Sequence, residues 1–244
     1  VTVTGSVHSF DVSTGVDGPG TRFVAFLAGC PLRCQYCHSP DTWYRRSGRE
    51  MDADELMTEI TRYERFIKVA RGGVTLSGGE ALQQPDFVRE IFTRCRARGL
   101  HTALDTSGYL GAKASDELLD VTDLVLLDIK AGDEETYHQV TRTGTLQPTI
   151  DFGHRLADRG IPIWIRFVLV PGLTDTVDNV DAVARIAASI RTVERVEVLP
   201  FHRLGAAKYA ALNQPFPLAD TPAPSPELLD RVRAQFRSHH LTVY

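Results

Sequence analysis

The chain has 244 residues, 43% of them hydrophobic and 24% charged, with a net charge of −4. These are the proportions of an ordinary soluble globular protein with enough apolar surface for a large core, and the mildly acidic balance excludes charge-driven binding to nucleic acid or to an acidic membrane. No apolar run approaches the roughly 18 residues that span a bilayer, and no signal-peptide pattern opens the chain, so a cytoplasmic location is expected, with no membrane and no nucleic-acid partner.

In chain order, residues 1–10 alternate in polarity and predict an N-terminal strand or hairpin within a lead segment 1–20. A strand over 21–28 follows. Asp52-Ala-Asp-Glu55 has the pattern of a capping box, and Leu56, Ile60 and Tyr63 continue it as one face of a helix. A strand over 73–76 leads to a helix over 85–98 that Gly99 closes. Its apolar positions Phe87, Val88, Ile91 and Phe92 step at helical spacing and place Cys95 in the core. Strands over 101–104, 123–127, 161–170 and 195–199 alternate with helices over 115–121, 149–159, 176–190 and 225–239. Residues 205–224, rich in Ala and Pro, read as a long surface loop, either a lid or an inert connector. Residues 241–244 read as a last strand.

Six strand–helix units predict an α/β fold with a parallel sheet and right-handed crossovers, in one domain over 1–244. Six is short of the eight-stranded closed barrel. An open, partial (β/α)6 barrel with outer helices is therefore expected, with a flat doubly wound sheet as the alternative.

Each predicted strand runs into a polar or glycine-rich sequence. In order these are Gly29-Cys-Pro-Leu-Arg-Cys-Gln-Tyr-Cys-His38, Ser77-Gly-Gly-Glu80, Asp105-Thr-Ser-Gly108, Asp128-Ile-Lys130, Pro171-Gly172 after a strand carrying Arg166, and Pro200-Phe-His202. Taken singly they are weak. Gly78-Gly79 suits a plain turn, Asp105 and Asp128 suit helix caps, Lys130 suits the surface, and His202 suits a satisfied polar position. Together they occupy the carboxyl ends of parallel strands, where ligands bind in such folds.

Three of the four cysteines, Cys30, Cys34 and Cys37, follow the spacing C-x3-C-x2-C. Three thiolates on one loop can hold three corners of a four-iron cubane, leaving the fourth iron to oxygen or nitrogen donors of a small molecule. Two other readings stay open. With His38 the cysteines would make a closed Cys3His zinc site in a non-catalytic binding module. Cys34-Gln-Tyr-Cys37 would make a redox dithiol, which leaves Cys30 unexplained.

With Tyr36 ahead of its last cysteine, this spacing resembles the signature of the radical S-adenosylmethionine (SAM) superfamily. His8-Ser-Phe10, Val16-Asp-Gly-Pro-Gly20, Cys37-His38, Asp41-Thr-Trp43, Ser77-Gly-Gly-Glu-Ala81, Leu104-Asp-Thr-Ser-Gly108, Leu127-Asp-Ile-Lys130, Trp164-Ile-Arg166 and Leu199-Pro-Phe-His202 resemble, in order and spacing, the glycyl-radical-enzyme activases of that superfamily. The resemblance covers nearly the whole chain. It implies an oxidoreductase that cleaves SAM reductively and takes a hydrogen from a glycine Cα of a partner, pyruvate formate-lyase foremost. Another glycyl radical enzyme, or a small molecule, is the alternative substrate.

The resemblance also implies roles for residues. Cys30, Cys34 and Cys37 would bind one [4Fe–4S] cluster, Tyr36, Cys37 and His38 would flank SAM, and Gly78, Gly79 and Glu80 would offer backbone near its amino group. Asp128, Ile129 and Lys130 would meet its amino and carboxylate ends, a sensible pairing of charges, and His202 would meet the adenosine. Asp105, Thr106, Asp128 and the Leu126 carbonyl match a site for a monovalent cation, Na+ or K+, and all are hard oxygen donors. Asp17 and Arg166 would steer the partner's glycine loop. Ser39 and Leu126 depart from the residues usual in the family. No cysteine lies between Cys37 and Ser77, so no inserted ferredoxin-like domain is expected. Electrons would come from a separate flavodoxin or ferredoxin, to a monomer.

Overall fold

The computed structural model describes residues 2–244. They group into two compact units. Unit 1 holds the chain up to Cys30, Thr42–Thr106 and Leu110–Leu126, and unit 2 holds Pro31–Asp41, Ser107–Tyr109 and Leu127–Tyr244.

In unit 1 the alternating N-terminal segment is strand β1, Thr4–Thr14. It runs antiparallel to β2, Thr21–Leu27, with Val7 opposite Leu27 and Thr14 opposite Thr21. On its other side it pairs antiparallel with β3, Arg49–Asp52. This third strand is absent from the sequence reading, because Arg49-Glu-Met-Asp52 carries no alternation of β-branched residues; pairing with β1 makes it a strand. The parallel pattern begins at β2. Strand β4, Gly73–Gly78, pairs with it in register Arg22 to Gly73, and β5, His101–Thr106, pairs with β4 in register Gly73 to His101.

Helix α1, Ala53–Val69, starts at the expected capping box. The Asp52 carboxylate accepts from Glu55 N at 2.8 Å, and the Glu55 carboxylate accepts from Asp52 N at 2.9 Å. It buries Leu56, Met57, Ile60 and Ile67, while Tyr63 lies at the edge of the core against Phe23, ring centroids 6.0 Å apart. Helix α2, Pro85–Ala97, buries Phe87, Val88, Ile91, Phe92 and Cys95. The Cys95 sulfur touches Met57 Sδ at 3.9 Å, so it is core, as expected. The short helix α3, Asp116–Asp120, precedes β6, Leu124–Asp128. Of that strand, Leu124–Leu126 belong to unit 1 and the last two residues to unit 2; the strands of unit 1 run in the order β3-β1-β2-β4-β5, and β7 lies beside β8 in unit 2.

In unit 2, helix α4, Glu134–Thr141, precedes the expected α5, Gln147–Asp158. Sequence reasoning misses α4 because eight residues with few apolar positions leave little periodicity; an Asp133 cap starts it, accepting from Thr136 N at 2.8 Å. Strand β7, Ile163–Leu169, runs parallel to β8, Val193–Pro200, with Trp164 opposite Arg195 and Arg166 opposite Glu197. Ile163, Ile165 and Phe167 are fully buried on one face, where Phe167 meets the edge of Phe236 at 5.6 Å. Phe236 belongs to α8, Pro226–Ser238, which packs beside α6, Val177–Ser189.

Two expectations need correction. The 205–224 stretch is not all loop, since Ala206–Ala211 form the short helix α7 around buried Tyr209. The 241–244 strand reduces to one parallel bridge, Val196 to Val243, beside β8. Among the described residues no helix is long and apolar enough to cross a membrane.

Candidate functional site

Unit 1 carries the stem of the cysteine loop and the Ser77-Gly-Gly-Glu80 turn, at the carboxyl ends of neighbouring parallel strands β2 and β4. Gly79 N donates to Leu27 O at 2.8 Å, Glu80 N to Gly29 O at 2.8 Å, Gly29 N to Thr42 O at 2.7 Å and Cys30 N to Trp43 O at 3.0 Å. The φ of Gly78 is +114°, a region that side chains avoid. A Cβ on Gly79 would stand 2.8 Å from the Gly29 carbonyl carbon and 3.0 Å from Thr42 O. The paired glycines therefore let two strand ends close on one another, which fixes the backbone that presents Cys30.

The carboxylate of Glu80 is buried, and its Oε1 accepts from Leu82 N at 3.1 Å and from the Thr106 hydroxyl at 2.6 Å. Ser77 donates to the Asp105 carboxylate at 2.6 Å. Asp17 is held at both ends: its carboxylate accepts from Ser13 at 2.6 Å, and its carbonyl accepts from Thr75 at 2.7 Å. Beneath it lies Arg22, fully buried and missed by sequence reasoning. It donates to Thr75 Oγ1 at 2.5 Å, Val74 O at 2.6 Å and Pro19 O at 3.2 Å. Gln83 was also missed; its Oε1 is buried with no hydrogen-bond partner, beside Gly29.

Unit 2 takes up the rest of the cysteine loop and suspends it from the end of α4, with Arg33 N on Thr141 O and Gln35 N on Val140 O, both at 2.9 Å. Burial pushes the Cys34 thiol up to about 12, against the pull of the Lys130 ammonium. A thiolate there needs a strong positive partner, which a bound metal ion would supply. Burial alone would discharge Lys130, yet Asp128, with Tyr36 and Cys34 behind it, holds the ammonium well above the ordinary lysine range. Lys130 donates to Asp128 Oδ2 and lies 5.4 Å from the Tyr36 ring centroid. The other carboxylate oxygen, Asp128 Oδ1, and the Tyr36 hydroxyl are buried without a hydrogen-bond partner. Buried polar atoms left this way are uncommon and fit a site that a polar ligand completes.

The His38 ring stacks on His202 with centroids 4.0 Å apart. Burial, with His202 beside it, lowers His38 to about 4, so it is neutral near pH 7. Gly205 is pressed against this loop: a Cβ there would meet Cys37 O at 3.0 Å and His38 Cα at 3.1 Å. Lys208 on α7 reaches Asp41 at 3.1 Å and Ser39 at 3.4 Å. The sequence gives no sign of Lys208 beyond the Asp41-Thr-Trp43 motif that it meets. Ile129 is fully buried and donates its N–H to Arg166 O at 3.1 Å, which brings Arg166 into register with the Asp128–Lys130 segment.

The expected residues thus gather by unit. Cys34, Tyr36, Cys37, His38, Asp128, Ile129, Lys130, Arg166 and His202 belong to unit 2, and Cys30, Gly78, Gly79, Glu80, Asp105, Thr106, Leu126 and Asp17 to unit 1. Among the described residues no three His, Cys, Asp or Glu side chains are drawn around one ion-sized position. Ligands of a cubane bind separate irons at its corners and need no such convergence.

The profile of the Radical SAM superfamily matches residues 24–184. The pyruvate formate-lyase 1-activating enzyme of Escherichia coli (strain K12) is 40% identical over 235 residues, 96% of this chain and 95% of that protein. The pyruvate formate-lyase-activating enzyme of Clostridium pasteurianum is 46% identical over 221 residues, 91% of this chain and 92% of that protein. Among solved structures, a domain of pyruvate-formate lyase-activating enzyme from Bacteroides vulgatus ATCC 8482 superposes with a TM-score of 0.57 at 25% identity, covering 71% of this chain and 98% of that one. A radical SAM methyltransferase from Sphaerobacter thermophilus, with a TM-score of 0.64 at 16% identity over 96% of this chain and 71% of that one, shares the fold. Motifs, strand-end placement and chain-long identity agree: the chain belongs to the radical SAM superfamily and, within it, to the family of pyruvate formate-lyase activating enzymes.

Proposed function

We propose that this chain activates a glycyl radical enzyme, pyruvate formate-lyase, by installing a radical on one of its glycines. The observation that carries the reading is identity of 40–46% to named activating enzymes over more than nine-tenths of the chain. The family uses one [4Fe–4S] cluster and SAM, and the chemistry of the residues present fits both. When both are bound, the reduced cluster would supply one electron to the sulfonium of SAM, splitting its C5′–S bond into methionine and the 5′-deoxyadenosyl radical that takes the hydrogen from the glycine Cα.

The chain's own groups bind, orient and shield. Cys30, Cys34 and Cys37 hold the cluster. Asp128, with Oδ1 unmatched, takes the methionyl ammonium, and Lys130 answers the carboxylate. Gly78, Gly79 and Glu80 shape the turn beside Cys30, Ile129 backs the Asp128–Lys130 segment, and Tyr36, His38 and His202 offer ring faces to the nucleoside. Neutral His38 stacks without bringing charge near a cation. Asp105, Thr106 and the Leu126 carbonyl offer hard oxygen donors suited to a monovalent cation. Asp17 and Arg166 orient the partner's glycine segment. The chain works as a single domain and a monomer in the cytoplasm, with flavodoxin or ferredoxin as electron donor.

The test is anaerobic. Reduced, reconstituted protein mixed with SAM and pyruvate formate-lyase is expected to give an organic radical on the partner by electron paramagnetic resonance. SAM cleavage without a partner radical overturns the assignment.

A further inference from the structure

We propose that Glu197 is a positioning residue that fixes the Arg166 guanidinium for the partner's glycine loop, an inference that rests on the reading of Arg166 given above. On β7 the buried residues Ile163, Ile165 and Phe167 face the helices, which puts Trp164 and Arg166 on the opposite face. Directly across, on β8, stand Arg195 and Glu197.

Glu197 Oε2 lies 3.5 Å from Arg166 Nε, with the two side chains only 12% and 10% exposed. Its other oxygen accepts from Arg195 Nη2 at 2.6 Å. Arg195 is in turn immobilised between two rings, its guanidinium carbon 3.3 Å from the Trp164 centroid and 4.8 Å from that of Tyr244. Glu197 is therefore anchored on one side by a stacked, rigid cation and has little freedom to leave Arg166. Arg166 Nε makes no hydrogen bond, so Glu197 acts on it as the nearly buried charge of an ion pair, and that pull biases the direction of the guanidinium and so which carbonyls of an approaching peptide its fork can reach. The backbone bond from Ile129 N to Arg166 O holds the main chain of Arg166 beside the Asp128–Lys130 segment, so loss of Glu197 frees the guanidinium and leaves that segment in place.

The experiment uses reconstituted enzyme, SAM and a synthetic peptide spanning the radical glycine of pyruvate formate-lyase. Glu197→Gln is expected to raise the peptide KM about tenfold, the effect of releasing one long side chain to rotamer freedom, with kcat, SAM affinity and the cluster spectrum unchanged. Arg166→Met is expected to raise KM at least as much, and the double variant no further than Arg166→Met. Should Glu197→Gln not fold, Glu197→Asp keeps the charge but withdraws it by one methylene, and a KM between parent and Arg166→Met is expected. If Arg166→Met raises KM and neither Glu197 variant does, the proposal fails while the role of Arg166 stands. If Arg166→Met leaves KM alone, both fail. Loss of SAM affinity together with peptide affinity in Glu197→Gln also overturns it, because that marks general disruption of unit 2.

Discussion

Gly79→Ala tests the claim that two glycines let the β4 turn close on the stem of the cysteine loop. The added Cβ would sit 2.8 Å from the Gly29 carbonyl carbon, where ordinary carbon–carbon contact begins at about 3.5 Å, so the turn and the stem must part by about 0.7 Å. The bond from Glu80 N to Gly29 O, 2.8 Å long, lies across that gap and would be stretched to the limit of hydrogen bonding. Overpacking of this kind costs about 1–3 kcal/mol, and the weakened bond adds about 1 kcal/mol. Cys30 follows Gly29 directly, so it shifts by a comparable amount, and a displacement approaching 1 Å at a reacting centre lowers rate by up to about 10²-fold. Iron and labile sulfide per chain after anaerobic reconstitution, and the rate of 5′-deoxyadenosine release, read both effects. Gly99→Ala is the control: its φ is +68° but nothing lies within 4 Å of a Cβ there. It should lose about 1 kcal/mol of stability and no iron. A Gly79→Ala protein with parental iron content and rate, or a Gly99→Ala protein that loses iron equally, refutes the reasoning.

Cys95→Ala should keep full iron content and radical transfer while losing about 1–2 kcal/mol in urea unfolding, because its fully buried sulfur packs on Met57; loss of iron would mean the ligands were misassigned. Asp52→Ala removes the acceptor of Glu55 N at the start of α1 and should cost about 1 kcal/mol with no change in SAM cleavage. His101 is held below 6.5 by burial and by Arg22, with Arg96 adding and Asp123 opposing. Its Nδ1 stands 3.3 Å from Arg22 Nη1, which can only donate, so the ring accepts there as the neutral form. The unfolded chain takes up this proton near pH 6.5 and the folded one only at lower pH, so stability falls as pH drops through 6.5 toward the depressed folded value. The urea midpoint should therefore fall from about pH 7.5 to about 5.5, less steeply in His101→Gln; equal slopes would remove His101 from the account.

The α/β alternation was legible because each parallel strand from β2 onward reads as a short apolar run followed by an amphipathic helix, and because a capping box such as that at Asp52 announces a helix start locally. What escaped depends on distant partners. Strand β3 exists through β1, and α7 through the burial of Tyr209 against Phe216, ring centroids 5.0 Å apart. The site was legible where chemistry concentrates in short motifs, above all the cysteines and the Asp128–Lys130 pair. Its supports were not. Arg22 hydrogen-bonds to residues more than fifty positions away, and Lys208 reaches Asp41 across more than a hundred and sixty. No local pattern predicts such a pairing, since an isolated Arg or Lys reads as surface by default.

The expected site residues satisfy their polar atoms to different degrees in the two units. In unit 1, Glu80, Asp105, Thr106 and Asp17 all bond to neighbours of their own unit, so these groups stiffen the turn and the strand ends whether or not a ligand is present. In unit 2, Asp128 gives one oxygen to Lys130 and leaves the other buried and unmatched, as is the Tyr36 hydroxyl. A buried unmatched polar atom costs about 1–3 kcal/mol, more if charged, and core packing alone would select against it. A ligand with a cationic donor removes that penalty on binding. Asp128→Asn should then weaken SAM without freeing the fold of strain, because it would strand the Lys130 ammonium, which burial otherwise works to discharge and Asp128 holds. A calorimetric titration in which Asp128→Asn bound SAM as tightly as the parent would place the ammonium elsewhere and reduce the unmatched oxygen to an accident of packing.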